Sequence, residues 1–502
     1  VGEETKPNLD RIISCSDGPI TRFLPIQSTS LFCDKSLEML SLTEMRQEFR
    51  PMLRLAAPLA LTELGWLGMN VVDTIMVGHL PDSAAAIGAV SVGTTLFYCV
   101  GIFGSAIMLG LDTLVAQAYG ARRLEEGHRA LFNAFYFSLV LAPLLTVFIL
   151  VWLPFLGRLG IAPEVLQKTV PFLKALTWST LPLMLYFVMR RYLQAMGIVK
   201  PVAFALVSAN LVNLLGNWIF VYGHLGFRSF GVTGSGWSTF VSRVYMVVVL
   251  AIAVFYYDRK LSTGLWRASR RVEMERIREL LRLGLPAASQ FLLEISAFTA
   301  ATVLIGRLGA LPLAGHQIAL NVAGLTYMVP LGISSAAAVR VGHAVGAGDV
   351  LGAARSGWMA ILFGAGFMSC SALVLFSIPK YIARIYSSQP EVIHAGATLL
   401  IVAAVFQLFD GLQVVTTGAL RGAGNTRIPM FVNLLGYWII GVPLGAILCF
   451  KINWGATGFW MGLCLALILI GSILVFAWHK LIKDLATQSA HASHLPVPAS
   501  HG

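Results

Sequence analysis

The sequence predicts an all-α polytopic membrane protein of twelve transmembrane helices, set as two six-helix lobes related by a pseudo-two-fold axis along the membrane normal. Three observations lead there. The composition is 57% hydrophobic and only 12% charged, against about 25% charged in a soluble domain. Apolar stretches long enough for a hydrocarbon core of about 30 Å, roughly 20 helical residues each, recur from residue 52 almost to residue 480. Motifs of the first half also return in the second half in nearly one register.

In chain order, residues 1–45 carry Glu3, Glu4, Lys6, Asp10 and Arg11 and no apolar run leading to a small-residue cleavage site, so they do not form a signal peptide. They are expected to be a disordered cytoplasmic extension. The N-lobe follows at 46–257, with spans at 54–79, 84–112, 130–153, 170–195, 201–222 and 231–257. A charged segment at 258–283 is expected to link the lobes in the cytoplasm, with Leu265, Trp266, Val272 and Ile277 against lipid headgroups. The C-lobe occupies 284–480, with spans at 284–306, 313–339, 355–378, 395–419, 428–450 and 456–478. Residues 481–502 are expected to form a disordered cytoplasmic tail. Pro58, Pro143, Pro182, Pro330 and Pro443 fall inside spans, where neighbouring helices can satisfy freed backbone groups.

The net charge of +12 does not point to nucleic acid, because its placement follows the positive-inside rule. Arg46, Arg50, Arg54, Arg122, Arg123, Arg129, Arg190, Arg191, Lys200, the cluster at 259–282, Arg340, Arg355, Arg421, Arg427, Lys480 and Lys483 fall on one side. Arg158, Lys168, Lys174, Arg228, Arg307, Lys380, Arg384 and Lys451 fall on the other. This puts both termini in the cytoplasm of a cell-membrane protein, inner or plasma membrane, whose basic excess meets anionic lipid. Cys15, Cys33, Cys99, Cys370, Cys449 and Cys464 show no metal or redox spacing and read as packing residues.

The repeat is explicit. "LRLAAP" at 53–58 returns as "LRLGLP" at 281–286, an offset of 228 (281 − 53), and "VGHL" at 77–80 returns as "IGRL" at 305–308. "AYGA" at 118–121 matches "AVGA" at 344–347, and "LQAMG" from Leu193 matches "LRGAG" from Leu420. Six spans return the chain to its starting side, so the halves share one orientation.

A charge at mid-membrane costs about 2.5–3.5 kcal/mol on insertion scales, so an acid there faces a cavity, a partner or a pathway. Asp73 on span 1, Glu294 on span 7 and Asp410 on span 10 are such acids. A purely structural role, each acid binding a neighbouring helix or a base such as Arg243, competes with a functional one. Their spread over both halves favours function. At the repeat offset Asp73 has only Ala301 as mate and Glu294 only Trp66, so duplication of one ancestral acid does not account for them. Glu63 lies about 15 Å along the helix from Asp73, nearer the cytoplasmic end, and is a secondary candidate. Asn210, Asn213 and Asn217 share one face of span 5, where helix pairing and cation or substrate contact are both open. For His316 and Gln317 on span 8, lining the cavity competes with a satisfied packing role, and packing is favoured. No HExxH, GxSxG or GxxxxGK pattern occurs, so neither an embedded hydrolase nor an ATPase is expected, and no enzyme activity.

The motifs "VVDTIMVGHL" (71–80), "GLDTLVAQAYGA" (110–121), "NLLGNWIFVYG" (213–223), "LAGHQIALNV" (313–322), "RVGHAVGAG" (340–348) and "GALRGAGNTRIP" (418–429) resemble those of the multidrug and toxic compound extrusion (MATE) family, most closely its NorM branch, over about residues 46–480. The resemblance implies a V-shaped pair of lobes that exports organic cations and other amphipathic toxic compounds, driven by inward Na+ or H+, with no cofactor beyond that ion. It implies a monomer in contact with membrane lipids. It also implies coupling or cation-binding roles for Asp73, Glu294 and Asp410, support from Asn213 and Asn217, and Na+ at Glu294 and Asp410 if sodium is the ion. Phe406 stands where the branch often carries a tyrosine, one turn before the span 10 acid. The competing readings are a lipid or glycolipid flippase, expected to have a markedly cationic cavity, and a non-transporting receptor or scaffold.

Overall fold

The computed structural model describes residues 42–493, with no strand among the described residues. In chain order the first half contains α1 (Leu42–Gly78), α2 (Ser83–Ile107), α3 (Leu109–Gly120), α4 (Leu124–Trp152), α5 (Pro163–Thr177), α6 (Thr180–Ala195), α7 (Lys200–Phe220) and α8 (Val232–Leu261). The second half contains α9 (Met274–Gly306), α10 (Ala310–Gly346), α11 (Val350–Ser377), α12 (Pro379–Tyr386), α13 (Pro390–Gly422), α14 (Arg427–Asn433), α15 (Val442–Ala446) and α16 (Gly455–Ser493). Among the described residues, 11 segments are long and apolar enough to cross a membrane, and the pair α5–α6, bent by 46°, makes the twelfth. Each expected span falls on one of these crossings.

Two crossings are interrupted where proline dictates. The ring of Pro182 collides with the carbonyl four residues back, and the helix opens at Trp178 and Ser179. The carbonyls of Leu176 and Thr177 then accept hydrogen bonds from the hydroxyls of Ser179 and Thr180. Pro443 lacks the donor that a regular helix needs, and two π-helical stretches, Leu434–Gly441 and Ile447–Lys451, flank it.

The expected boundaries shift at three places. Helix α1 begins at Leu42, inside the expected extension 1–45, and residues 1–41 lie outside the described residues. Helix α16 runs to Ser493, so the segment expected to be a disordered tail, 481–502, is helical as far as that residue, and 494–502 lie outside the described residues. Ile482 is buried, with Leu481 and Leu485 packed beside the same core. The expected linker 258–283 is mostly absorbed by α8 and α9. The remainder is tied to α4: Tyr136 donates to the Arg270 carbonyl (3.0 Å), the Glu273 amide donates to Asn133 (2.7 Å), and His128 Nε2 lies 3.0 Å from the Thr263 carbonyl. Leu265, expected against headgroups, is buried in protein, while Trp266 and Val272 are exposed. Of the cysteines, Cys449 and Cys464 are buried, whereas Cys99 and Cys370 are exposed on the helix surface and do not pack the core.

Lipid tails are as apolar as leucine, so membrane helices associate through close packing of small residues and hydrogen bonds more than through the hydrophobic effect. The lobes meet on the side of the chain termini in just this way. A Cβ on Gly120 of α3 would overlap the His343 carbonyl of α10, and a Cβ on Gly346 would overlap the Gln117 carbonyl. Gly120 and Gly346 are repeat mates, and so are Gln117 and His343 (both offset 226, 346 − 120 and 343 − 117). The contact is therefore reciprocal, as a two-fold axis between the lobes requires. Hydrogen bonds line the same seam. Thr113 donates to the Arg421 carbonyl (2.7 Å), Gln117 donates to the Gly422 carbonyl (3.0 Å), and His343 Nε2 donates to the Ala195 carbonyl (2.6 Å). Nearer the start of α1, Glu48 holds Arg340 of α10 at 2.5 Å and accepts from Ser356 of α11 at 2.8 Å.

A bulky side chain at Gly120 cannot fit without parting the helices, because its neighbour is backbone. In a variant otherwise free of cysteine, Ala116→Cys, buried at the seam beside Gly342, is expected to resist a membrane-impermeant maleimide. Adding Gly120→Leu is expected to make it reactive. Unchanged protection would mean that the seam tolerates the extra volume.

Candidate functional site

Above the seam, a cavity of about 730 Å³ separates the lobes. Its wall draws on α1, α2 and α6 from one lobe and α9, α10 and α13 from the other. It extends away from the terminal side as far as Thr95, Val303 and Gln317. Aromatic and aliphatic side chains, including Trp66, Phe187, Phe291, Phe298 and Phe406, make most of the lining, as in sites that hold amphipathic organic molecules. Phe406, in the place of the tyrosine, is packed edge-on against Phe298 (6.0 Å between centroids) and beside Trp460 (5.5 Å).

The C-lobe acids face this cavity together. Glu294 of α9 accepts one hydrogen bond, from Gln413 of α13 at 3.2 Å, and Tyr327 of α10 adjoins it. Gln413 is itself fully engaged, donating to Asn433 (3.1 Å) and accepting from the Tyr437 hydroxyl (2.9 Å). This holds the Glu294 carboxylate in place. Asp410, also on the cavity wall, has no hydrogen-bond partner and no arginine among the described residues, and its charged neighbour is Glu294. Gln413, Tyr327, Asn433 and Tyr437 were not singled out by the sequence. The signal available was the three-residue spacing of Gln413 from Asp410, which puts both on one face.

Asp73 sits elsewhere, inside the N-lobe. It is buried, absent from the cavity lining, and accepts from Asn217 (2.7 Å) and Thr239 (3.1 Å). Asn217 also donates to the Asn213 side chain (3.1 Å), and Asn213 donates to Ser238 (3.4 Å). The sequence thus identified Asp73, Asn213 and Asn217, and the structure brings all three together. It missed Thr239, Ser235 and Ser238 on α8, ordinary small polar residues until the helices are packed. Asn217 Oδ1 and the Ser235 hydroxyl are buried there without a hydrogen-bond partner among the described residues. Carboxylate, amide and hydroxyl oxygens suit a hard cation. Asn210, on the same helical face, makes no hydrogen bond to this cluster among the described residues and donates to the Gly65 carbonyl (3.1 Å), which is a helix-pairing bond.

Glu63 faces the cavity but is ion-paired with Arg190 of α6. Beside it Asp112 of α3 pairs with Arg191 at 3.1 Å. Arg421, in the last turn of α13, is the third buried guanidinium at this end. Arg190, Arg191 and Arg421, assigned by the sequence to the cytoplasmic side, are thus cavity-floor residues, and the buried charge is not mostly acidic. Two of the three are matched by acids, so the floor is not as cationic as a flippase cavity would be. Among the described residues Arg243 contacts no acid directly. It donates to Ser179 at the break between α5 and α6 (2.5 Å) and lies over the Phe97 ring at 4.7 Å. His316 is a packing residue: it accepts from the Trp460 indole at Nδ1 (3.0 Å), so Nε2 donates to Thr302 (2.8 Å). Gln317 lines the outer part of the cavity.

Breaking one partner of a buried pair strands the other charge at a cost of about 3–5 kcal/mol. Arg190→Met is therefore expected to lower the thermal unfolding temperature sharply, and the double variant Glu63→Gln/Arg190→Met to recover most of the loss. A double variant as unstable as the single would show that Arg190 acts through packing.

Comparisons with known proteins agree with this two-lobed fold. The MatE family model matches twice, over residues 58–219 and 286–447, two copies displaced by 228 (286 − 58), the offset of the sequence repeat. The chain is 34% identical over 445 residues to the "Probable multidrug resistance protein NorM" of Mesorhizobium japonicum, covering 86% of this chain and 94% of that protein. It is 36% identical over 423 residues to a protein of the same name from Xanthomonas axonopodis pv. citri, covering 84% and 91%. The fold superposes on the eukaryotic MATE transporter AtDTX14 with a TM-score of 0.78 at 22% identity, over 89% of this chain and 99% of that one. With six crossings per lobe, the family model matched in each lobe and relatives of this similarity over most of its length, the chain belongs to the MatE family of membrane transporters.

Proposed function

We propose that the protein is a secondary active antiporter that exports organic cations and other amphipathic toxic compounds in exchange for inward Na+ or H+. The observation that carries this is a largely apolar cavity between the lobes, closed at the terminal seam, with the underpartnered carboxylates Glu294 and Asp410 on its wall. In this reading Glu294 and Asp410 hold either the exported cation or the entering ion, Na+ in a sodium-coupled cycle. Loading one then helps release the other. Asp73, with Asn213, Asn217 and Thr239, is an N-lobe site for the ion that acts on the cargo at a distance. The ion must bind more tightly to one arrangement of the lobes than to the other, because only differential affinity shifts a conformational equilibrium.

The assignment places both termini in the cytoplasm of the inner or plasma membrane, so that the seam is the cytoplasmic gate and the cavity opens outward. The protein works as a monomer surrounded by lipid, with anionic headgroups at its basic side. The paired arginines of the floor disfavour the flippase alternative, and the absence of gradient-driven flux would favour a non-transporting receptor.

Purified protein in proteoliposomes is expected to move ethidium against an imposed sodium or proton gradient. Asp73→Asn, Glu294→Gln and Asp410→Asn are each expected to slow this by about tenfold or more, the effect of losing one charged contact. Normal export by all three variants would remove the assignment. Replacing sodium with a larger monovalent cation at fixed pH distinguishes the ions: export that stops is sodium-driven, and export that continues with the proton gradient is proton-driven.

A further inference from the structure

The charge at the cavity floor does not balance. Arg190 pairs with Glu63 and Arg191 with Asp112, while Arg421, only 3% exposed and lining the cavity, has no ion pair and no side-chain hydrogen bond among the described residues, its acidic neighbour Asp112 being already bonded to Arg191. The hydrogen-bond count leans the same way. Arg190 Nε, Arg191 Nε, Arg421 Nε and Gln194 Nε2 are buried donors without an acceptor, whereas Asp112 Oδ1 is the one carboxylate oxygen of the floor buried without a donor. The Tyr186 hydroxyl, also unpartnered, can serve as either. The carbonyl end of α13 favours a cation at Arg421 but does not satisfy its N–H groups. A guanidinium keeps its charge under all ordinary conditions and presents a fork that matches a carboxylate. Glu294 and Asp410 lie on the C-lobe wall of the same cavity, so the cavity is negative on one wall and positive at its floor.

We infer that Arg421 forms an anion subsite at the cavity floor, where it receives the carboxylate of a zwitterionic amphiphile whose cationic end faces Glu294 and Asp410. This rests on the antiport reading and adds to it a residue, Arg421, that discriminates among cargoes. The floor discriminates between a cargo that brings its own acceptor and one that does not. A purely cationic cargo leaves the floor donors to water, while a zwitterion satisfies both ends.

Rhodamine 110 and rhodamine 123 test this, because they share a cationic aromatic body and differ in a free carboxylate against its methyl ester. Affinities for the purified protein are read by fluorescence anisotropy, and export is read in proteoliposomes. The wild-type protein is expected to favour rhodamine 110. In Arg421→Gln the preference, taken as the ratio of the two Kd values, is expected to fall by about tenfold or more, and Arg421→Lys is expected to retain part of it. An unchanged ratio in Arg421→Gln overturns the subsite and leaves the floor donors to water. A ratio equally lost in Arg421→Lys and Arg421→Gln, with reduced thermal stability in both, assigns Arg421 to the architecture and also overturns it. Binding of rhodamine 123 that needs chloride, with the need removed by Arg421→Gln, would place a free inorganic anion there in place of the cargo. Failure of gradient-driven rhodamine 123 export in the wild type would sink the antiport reading itself, so the two failures are distinct.

Discussion

An ionised side chain in hydrocarbon must be compensated by protein, by water or by something that passes through, and this molecule distributes its buried charge among those options. Glu63 and Asp112 are compensated by arginines. Asp73 is compensated by amide and hydroxyl donors within one lobe. Glu294 and Asp410 stand on a cavity wall where, among the described residues, Gln413 donates to Glu294, Tyr327 adjoins it and no base pairs with either acid, so the cavity is left to supply a compensating positive charge. The proposed ion and cargo exchange follows from that difference, since only a group whose partner can leave is able to take another.

The architecture that presents these groups is symmetric, while its chemistry is not. Gly120 and Gly346 each abut a carbonyl of the opposite helix across the terminal seam, those of His343 and Gln117, and both copies of the family model share the repeat offset. Yet the repeat mate of Glu294 is Trp66, another cavity residue, and that of Asp73 is Ala301, buried at 0% exposure. A near-symmetric pair of lobes can close on either side with similar packing, and in the proposed cycle the asymmetric acids are what would give the two states different affinities. Small residues suit the moving surface because close backbone contact is reversible and buries little side-chain volume.

The legible part of the site was the part that violates membrane composition. Asp73, Glu294 and Asp410 could be found because an acid in an apolar span is costly and therefore rare, and Asn213 and Asn217 because their spacing shares a helical face. Thr239, Ser235, Gln413, Tyr327 and Tyr437 could not be found in this way. Such residues are common in membrane helices, and their significance depends on which helix lies opposite. The arginines misled for a related reason. Near a helix end, Arg190, Arg191 and Arg421 look like loop charges obeying the positive-inside rule, and only the packing of α3, α6 and α13 closes the cavity floor around them.

Hydropathy, repeats and the cost of buried charge are properties of one segment at a time, so the number of crossings, the duplication and the three acids within spans could be read from the chain alone. Which prolines interrupt a helix could not, since Pro58, Pro143 and Pro330 lie in unbroken helices and Pro182 and Pro443 do not. It took the packing of the helices to show that Asp73 is enclosed within its own lobe while Glu294 and Asp410 share a cavity, that Glu63 is already paired, and that Arg421 is not. Those are relations between helices remote in the chain. Their outcome depends on a few ångströms of lateral and rotational placement, a quantity that periodicity within a single helix does not contain.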